Sequence, residues 1–189
     1  MDLLNLCASG DYSEVFHIYS RKTEGKNISG EALQFTHFNR PIHFAASQGN
    51  LEVVKKFIRE FRCDASCVNL DGVTPLHCAS HGGHTKVIEY LVLEEGCDPC
   101  VVDHRGSTAL HYVACCAQYI QPGTKKSSHR QLIPNSVLWM HAKEPNENNI
   151  KSAKFLIQHG CDPLGVTNCG IYQNFLPWFV AMEILVTLN

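Results

Sequence analysis

The fold is decided by one ten-residue stretch, Thr74-Pro75-Leu76-His77-Cys78-Ala79-Ser80-His81-Gly82-Gly83. Thr74 can act as an N-cap because its hydroxyl accepts a hydrogen bond from an unpaired backbone N–H of the first turn. Proline suits the next position because the donor that it lacks has no helical partner there. Paired glycines then end the helix, since positive φ costs them little. The stretch therefore predicts a short helix that runs to about His81.

A second helix is predicted directly after these glycines. Val87, Ile88, Leu91 and Val92 form one apolar stripe at helical spacing, and Gly96 stops the helix. Neither of the two short helices can bury its apolar face alone. Neighbouring units must therefore stack into a chain in which each unit contacts the next.

The same pattern recurs along the chain at a fixed step. His43, His77 and His111 are spaced by 34 residues each time, in similar local sequences. The pairs Cys63-Asp64 and Cys97-Asp98 repeat with the same step. Self-similarity at this period is typical of helical repeat arrays.

The repeat resembles the ankyrin repeat, whose hallmark is a Thr-Pro-Leu-His-x-Ala run at a step of about 33. The resemblance covers residues 3–171 and implies an all-α solenoid of helix-turn-helix units joined by β-hairpin-like loops. About four repeats and a partial fifth are expected. The implied single domain, 1–189, divides into a degenerate N-terminal repeat (1–34), repeat two (35–68), repeat three (69–102), repeat four (103–166) and an atypical partial repeat (167–189).

The resemblance also implies which residues are structural. Arg40 replaces the usual Thr in repeat two and Ala109 replaces the usual Pro in repeat four, which weakens local capping but leaves the spacing intact. The residues that match the family's structural motif are His43, Thr74, Pro75, His77, Gly83, Thr108 and His111.

Repeat four contains an insertion at about 117–148, between its two predicted helices. Its prolines, glycine, asparagines and serines are typical of a loop. One interpretation is a tolerated surface insertion, because long loops cost little closure entropy. The other is a binding appendage with Trp139 as its anchor.

The C-terminal segment departs from the pattern. Residues 175–188 are apolar nearly throughout and lack the expected Thr-Pro-Leu-His. Three interpretations stay open: an atypical cap, a cover for a neighbouring molecule, or a piece of a longer repeat protein.

Composition narrows the function classes. Apolar residues make up 44% and charged residues 18% of the chain, as in a globular protein, and the net charge is -2. A nucleic-acid binder would carry a basic face, so no nucleic-acid partner is expected. No apolar run reaches the length of a membrane span, and no signal peptide is recognised. A cytoplasmic location, or a nuclear one, is therefore predicted, with the ten cysteines as reduced thiols.

Metal and catalytic sites are not predicted. Cys97 and Cys100 have zinc-ligand spacing, yet Cys63, Cys97 and Cys161 occupy the position where the family buries a small residue. Equivalent positions in stacked repeats lie about 10 Å apart, too far for one tetrahedral site. No catalytic or phosphate-binding motif is present, so we expect no enzyme and no cofactor. Stoichiometric zinc in the purified protein would overturn this interpretation.

The predicted function is therefore a non-catalytic module or scaffold that binds a protein partner, with its oligomeric state open. By analogy with the family, the binding surface is the concave side made by hairpin tips and first helices. Aromatic and arginine side chains are the types that dominate interface energetics. The candidate partner-binding residues are Phe44, Gln48, Asp71, His81, Arg105, Tyr112 and Trp139.

Overall fold

The computed structural model describes residues 6, 7, 9–23, 40–118 and 147–162. Within these ranges the chain is helical and contains no strand, so the predicted all-α fold class is confirmed. The helices are α1 (Tyr12–Thr23), α2 (Pro41–Ser47), α3 (Leu51–Arg59), α4 (Pro75–His81), α5 (Thr85–Glu89, continued by a π-helical turn, Tyr90–Glu94), α6 (Ala109–Gln118) and α7 (Glu147–Gln158).

The helices form two layers. The first helices of successive repeats stack in the order α2, α4, α6, and the second helices stack in the order α3, α5, α7. Each first helix also packs against the second helix of its own repeat. The arrangement is that of a helical solenoid, in which the core is built at contacts between neighbouring units.

The helix starts follow from local capping. The Thr74 hydroxyl accepts from the backbone N–H of His77 at 3.3 Å, and the His77 ring accepts from the backbone N–H of Thr74 at 3.1 Å. In the second layer, the side chain of Asn50 accepts from the backbone N–H of Val53 at 3.2 Å and so caps α3. Each cap satisfies a donor that the first turn of a helix leaves unpaired.

The core runs the length of the described helices. The largest fully buried side chains include Phe57, Leu76, Ile88 and Leu156. At the N-terminal end, the stacked rings of Phe16 and Phe61 lie 5.5 Å apart beside Phe57. In the predicted stripe, Val87, Ile88 and Leu91 are buried and Val92 is half-buried, and Tyr90 of the π-helical turn is buried beside them.

Gly83 joins α4 to α5, and both its backbone and its surroundings require glycine. Its φ is +67°, and a Cβ at this position would collide with Oδ1 of Asn149 on α7. Gly96 provides a matched comparison, since its φ is +68° and an added Cβ would meet nothing within 4 Å. The two glycines thus separate backbone strain from the collision with a neighbouring repeat.

We expect Gly83→Ala to lower the free energy of unfolding by about 2 kcal/mol, and Gly96→Ala by about 1 kcal/mol. The excess measures the contact between the α4–α5 turn and α7. Urea denaturation of both variants, followed by circular dichroism, provides the comparison. Equal losses in the two variants would show that α7 does not press against this turn.

Three predicted features lie outside the described residues: most of the insertion at 117–148, the apolar segment 175–188, and the N-terminal part of repeat two. Helix α6 ends at Gln118 and α7 begins at Glu147, so residues 119–146 separate the two helices of repeat four. None of the described helices has both the length and the hydropathy needed to cross a bilayer.

Candidate partner-binding surface

Two equivalent turns project from the first-helix layer, and we call them the tips: residues 69–73 and 103–107. In the first tip the backbone N–H of Asn69 donates to the Val73 carbonyl at 3.0 Å. In the second tip Asp103 donates to the Ser107 carbonyl at 3.0 Å. The matching bonds show that both turns have the same backbone geometry.

A side chain inside each turn fixes its shape. Oδ1 of Asn69 accepts from the backbone N–H groups of Asp71 and Val73, both at 2.9 Å. Oδ1 of Asp103 accepts from Arg105 at 2.9 Å and from Ser107 at 2.8 Å. Short polar side chains of this type replace backbone partners in tight turns.

The tips are also bonded to each other. The backbone N–H of His104 donates to the Asp71 carbonyl at 2.9 Å. This bond sets the separation of the two tips, and with it the spacing of the side chains that they present.

Asp103 is the centre of a charged cluster beneath the second tip. Its side chain is fully buried, and its Oδ2 accepts from the Tyr112 hydroxyl at 2.9 Å and from Arg105 Nη2 at 3.1 Å. Arg105 Nη2 also lies 3.0 Å from the Tyr112 hydroxyl. Burial opposes ionisation of Asp103, but hydrogen bonds from Ser107, Tyr112 and Arg105 hold its pKa below the ordinary value.

The Arg105 guanidinium is consequently held in place while part of it stays in solvent. Its side chain is 45% exposed. Burial and the Asp103 carboxylate together raise the pKa of the Tyr112 hydroxyl, so this group stays protonated and acts as the donor to Asp103.

Buried histidines connect α2 and α4 each to the following tip. Nδ1 of His43 accepts from the Arg40 backbone N–H at 3.1 Å, and its Nε2 lies 3.1 Å from the Val73 carbonyl. Because an N–H can only donate and a carbonyl can only accept, the ring proton is assigned to Nε2. His77 repeats the arrangement, with Nε2 3.1 Å from the Ser107 carbonyl.

These bonds need neutral imidazoles. Burial lowers the pKa of His43 to about 4, against an ordinary value of 6.5, and it lowers the pKa of His77 as well. Both rings are therefore neutral at pH 7. In repeat four, Nδ1 of His111 accepts from the backbone N–H of Thr108 at 3.1 Å in the same way.

The repeated helix pairs, the tips and the histidine contacts agree with a family comparison. A model of ankyrin repeats in three copies matches residues 42–126. These residues are ankyrin repeats. No curated protein matches the chain.

Membership in the ankyrin family indicates a general function for these repeats. Ankyrin repeats generally mediate protein–protein interaction and are typically non-catalytic. The described residues contain no group of three or more His, Cys, Asp or Glu side chains that could hold a metal ion. Burial raises the pKa of Cys63 to about 11 and that of Cys67 to about 12, which keeps both as neutral thiols inside the ankyrin stack.

Four of the candidate residues lie together in the ankyrin repeats. Asp71 and Arg105 are exposed on adjacent tips, and Tyr112 is half-buried on α6 beneath Arg105. The Tyr112 ring makes an edge contact with exposed His81, with the ring centroids 6.3 Å apart. It also lies 5.0 Å from the ring of buried His77.

The other three candidates are placed differently. Phe44 is half-buried and packs against the core. Gln48 bonds to the first repeat, since its amide donates to the Cys7 carbonyl at 2.9 Å and its Oε1 accepts from the Tyr12 hydroxyl at 2.8 Å. Trp139 lies outside the described residues.

Three residues of this surface were not among the candidates predicted from the sequence: Val68, Val102 and Asp103. Val68 and Val102, one repeat step apart, are 49% and 51% exposed, so an apolar side chain lies in solvent just before each of the two tips. The 34-residue step that located the histidines also relates these valines. Asp103 was not a candidate either, although it organises the second tip.

Proposed function

We propose that the chain is a non-catalytic ankyrin module that binds a partner protein through the tip surface. The tip surface comprises the exposed and half-buried side chains on and beneath the two tips: Leu70, Asp71, His81, His104, Arg105 and Tyr112. The observation that carries the proposal is two sets of hydrogen bonds. Asn69 closes the first tip and Asp103 closes the second, and a bond from His104 to Asp71 joins the two tips.

A surface built in this way is pre-organised. Association with a flexible loop would require the loop to be ordered, which subtracts from the affinity. The tip backbones are already fixed by side-chain and inter-tip hydrogen bonds, so this cost is reduced. The Arg105 guanidinium is likewise oriented by Asp103 before a partner arrives.

The surface offers mixed chemistry. Leu70 is 60% exposed and supplies an apolar contact, while Asp71 and Arg105 supply opposite charges on neighbouring tips. A complementary partner would place an apolar side chain beside Leu70 and a carboxylate or carbonyl against Arg105. Arginine and tyrosine are enriched among residues that dominate binding energy.

The cysteines support a cytoplasmic or nuclear site of action for this proposed function. The seven cysteines whose side chains the structure describes are unpaired thiols. Unpaired thiols in this number are typical of a reducing compartment.

Photo-crosslinking tests the proposal in cells. With p-benzoylphenylalanine in place of Asp71 on the first tip, we expect a discrete crosslinked partner protein. Adding Arg105→Ala should lower the crosslink yield about tenfold, because about 1.4 kcal/mol of binding energy is lost with a hot-spot side chain. The readout is the intensity of the crosslinked band after affinity purification.

The control places the same crosslinker at Glu89, which is exposed on α5. The proposal is wrong if Glu89 captures the same protein as efficiently as Asp71, or if neither position captures a discrete band. Alanine variants of Phe44 and Tyr112 separate binding from packing, because a variant that unfolds reports a core role for its residue and not a contact with the partner.

A further inference from the structure

Two thiols from distant parts of the chain lie against each other. Sγ of Cys100 is 3.9 Å from Sγ of Cys161, although 61 residues separate them in the chain. Cys100 lies in the turn after α5, and Cys161 lies three residues after α7, which ends at Gln158. The contact therefore joins repeat three to the second helix of repeat four.

Local hydrogen bonds hold both thiols in position. The Cys161 thiol donates to the Pro99 carbonyl at 3.0 Å. The backbone N–H of Cys100 donates to the Asp98 carboxylate at 2.8 Å, which fixes the turn. Gly160, with a φ of +99°, brings the backbone close enough that an added Cβ would lie 4.0 Å from Sγ of Cys100.

The two thiols differ in access to solvent. Cys100 is exposed, whereas Cys161 is only 3% exposed. Burial, and then the neighbouring Cys100 sulfur, raise the pKa of Cys161, so this group stays a protonated thiol at neutral pH. An oxidant in solution can reach Cys100 but not Cys161.

We propose that Cys100 and Cys161 form a peroxide-sensitive dithiol that closes to a disulfide between repeat three and α7. The Cys100 thiol loses its proton, and the thiolate attacks one oxygen of hydrogen peroxide. The O–O bond breaks, and the departing hydroxide takes up that proton to give water. The resulting sulfenic acid is attacked by the Cys161 sulfur, which loses its proton as a second water departs. Two thiols and one peroxide thus give one disulfide and two waters.

The geometry needs little adjustment for the second step. A disulfide requires sulfurs about 2 Å apart, so the pair must approach by about 2 Å, within reach of side-chain rotation. The reaction would add a covalent link where α7 is otherwise attached by packing and by polar contacts, among them the Thr85 and Ser152 hydroxyls at 2.8 Å. Oxidation would therefore oppose separation of α7 from repeat three.

The test treats the full chain with hydrogen peroxide, blocks the remaining thiols with N-ethylmaleimide and digests with trypsin under non-reducing conditions. We expect a linked pair of the peptides 87–105 and 155–189, with fragment ions that assign the bond to Cys100 and Cys161. The melting temperature of the oxidised protein should rise by about 5 °C, because the cross-link closes a long loop.

Each peptide contains a second cysteine, so variants complete the test. Cys100→Ser, at an exposed position that should not disturb folding, is expected to abolish both the linked peptide and the rise in melting temperature. Cys169→Ser is expected to leave both unchanged. A linked peptide that persists in Cys100→Ser, or failure of the wild-type chain to form it, overturns the proposal.

Discussion

Asp103→Ala is expected to lower the free energy of unfolding by about 2–3 kcal/mol, because several hydrogen bonds to its buried carboxylate are lost together. The substitution removes the acceptor for the backbone N–H groups of Arg105 and Ser107 and for the Tyr112 hydroxyl. These hydrogen bonds are partly buried, and each one that is lost costs about 1 kcal/mol. The second tip should lose its shape, and partner binding should fall with it.

Asp103→Asn distinguishes the backbone hydrogen bonds that close the turn from the effect of the carboxylate charge. Asn69 holds the first tip with the same two backbone bonds, so an asparagine at 103 can keep the second tip closed. The amide NH2 that replaces Oδ2 cannot accept from Arg105 or from the Tyr112 hydroxyl, so the bonds and the charge that orient Arg105 are lost, and we expect a cost of about 1–2 kcal/mol. Chemical denaturation of both variants, measured at pH 7, gives the graded comparison.

Asp71→Ala is the matched control, because it removes the same charge from an exposed position on the neighbouring tip. Its effect on unfolding should stay within about 0.5 kcal/mol. If Asp103→Ala lowers the free energy of unfolding by no more than Asp71→Ala does, the charged cluster does not stabilise the second tip.

The second large effect is an acid sensitivity that begins near pH 6.5. His43 and His77 have lowered pKa values in the folded chain, so the unfolded chain binds protons first as the pH falls. Their contribution to stability is complete above pH 6.5, falls below it, and stops changing for His43 near its folded pKa of about 4. Between pH 7 and pH 4, His43 alone should cost about 3 kcal/mol.

The acid effect is measured as the slope of unfolding free energy against pH between 6.5 and 4. His43→Gln, which does not titrate, should be less stable than the wild type at pH 7 and should show a smaller slope. Val54→Ala, a fully buried change without a titrating group, should lower stability at every pH and keep the wild-type slope. An unchanged slope in His43→Gln would contradict the assignment.

The charged cluster around Asp103 affects stability in a different pH range from the histidines. The pKa of Asp103 is lowered from an ordinary 3.8, so its contribution is present above that pH and is lost only as the pH falls further. Acid destabilisation that began near pH 4, with none above it, would assign the effect to carboxylates and not to the buried imidazoles.

Features encoded by adjacent residues could be predicted from the sequence. The helix Pro75–His81 follows from a Thr-Pro start and a glycine stop, and the structure shows these bounds. The repeat step predicted the stacking of units because each short helix pair has an unpaired apolar face. The clustering of Asp71, His81, Arg105 and Tyr112 also follows from equivalent positions in successive repeats.

Contacts between non-equivalent positions could not be predicted in the same way. Tyr112 reaches Asp103 from the next helix, and nothing in the local pattern at Asp103 announces a buried charge. Cys100 meets Cys161 although they occupy different positions in their repeats, so the estimated separation of equivalent cysteines gave no hint of the pair. The π-helical turn at Tyr90–Glu94 likewise has no signal in the apolar stripe.

The hydrogen bonds of the buried imidazoles give the stack a direction along the chain. His43 donates to the carbonyl of Val73 and His77 to that of Ser107, the equivalent position one unit later, so these two donors face the same way along the chain. A copy of residues 69–102 inserted after residue 102 would meet a matching acceptor ahead of it and present one to the unit behind. Internal duplication of the gene would therefore lengthen the array with a histidine–carbonyl contact at both junctions of the added unit.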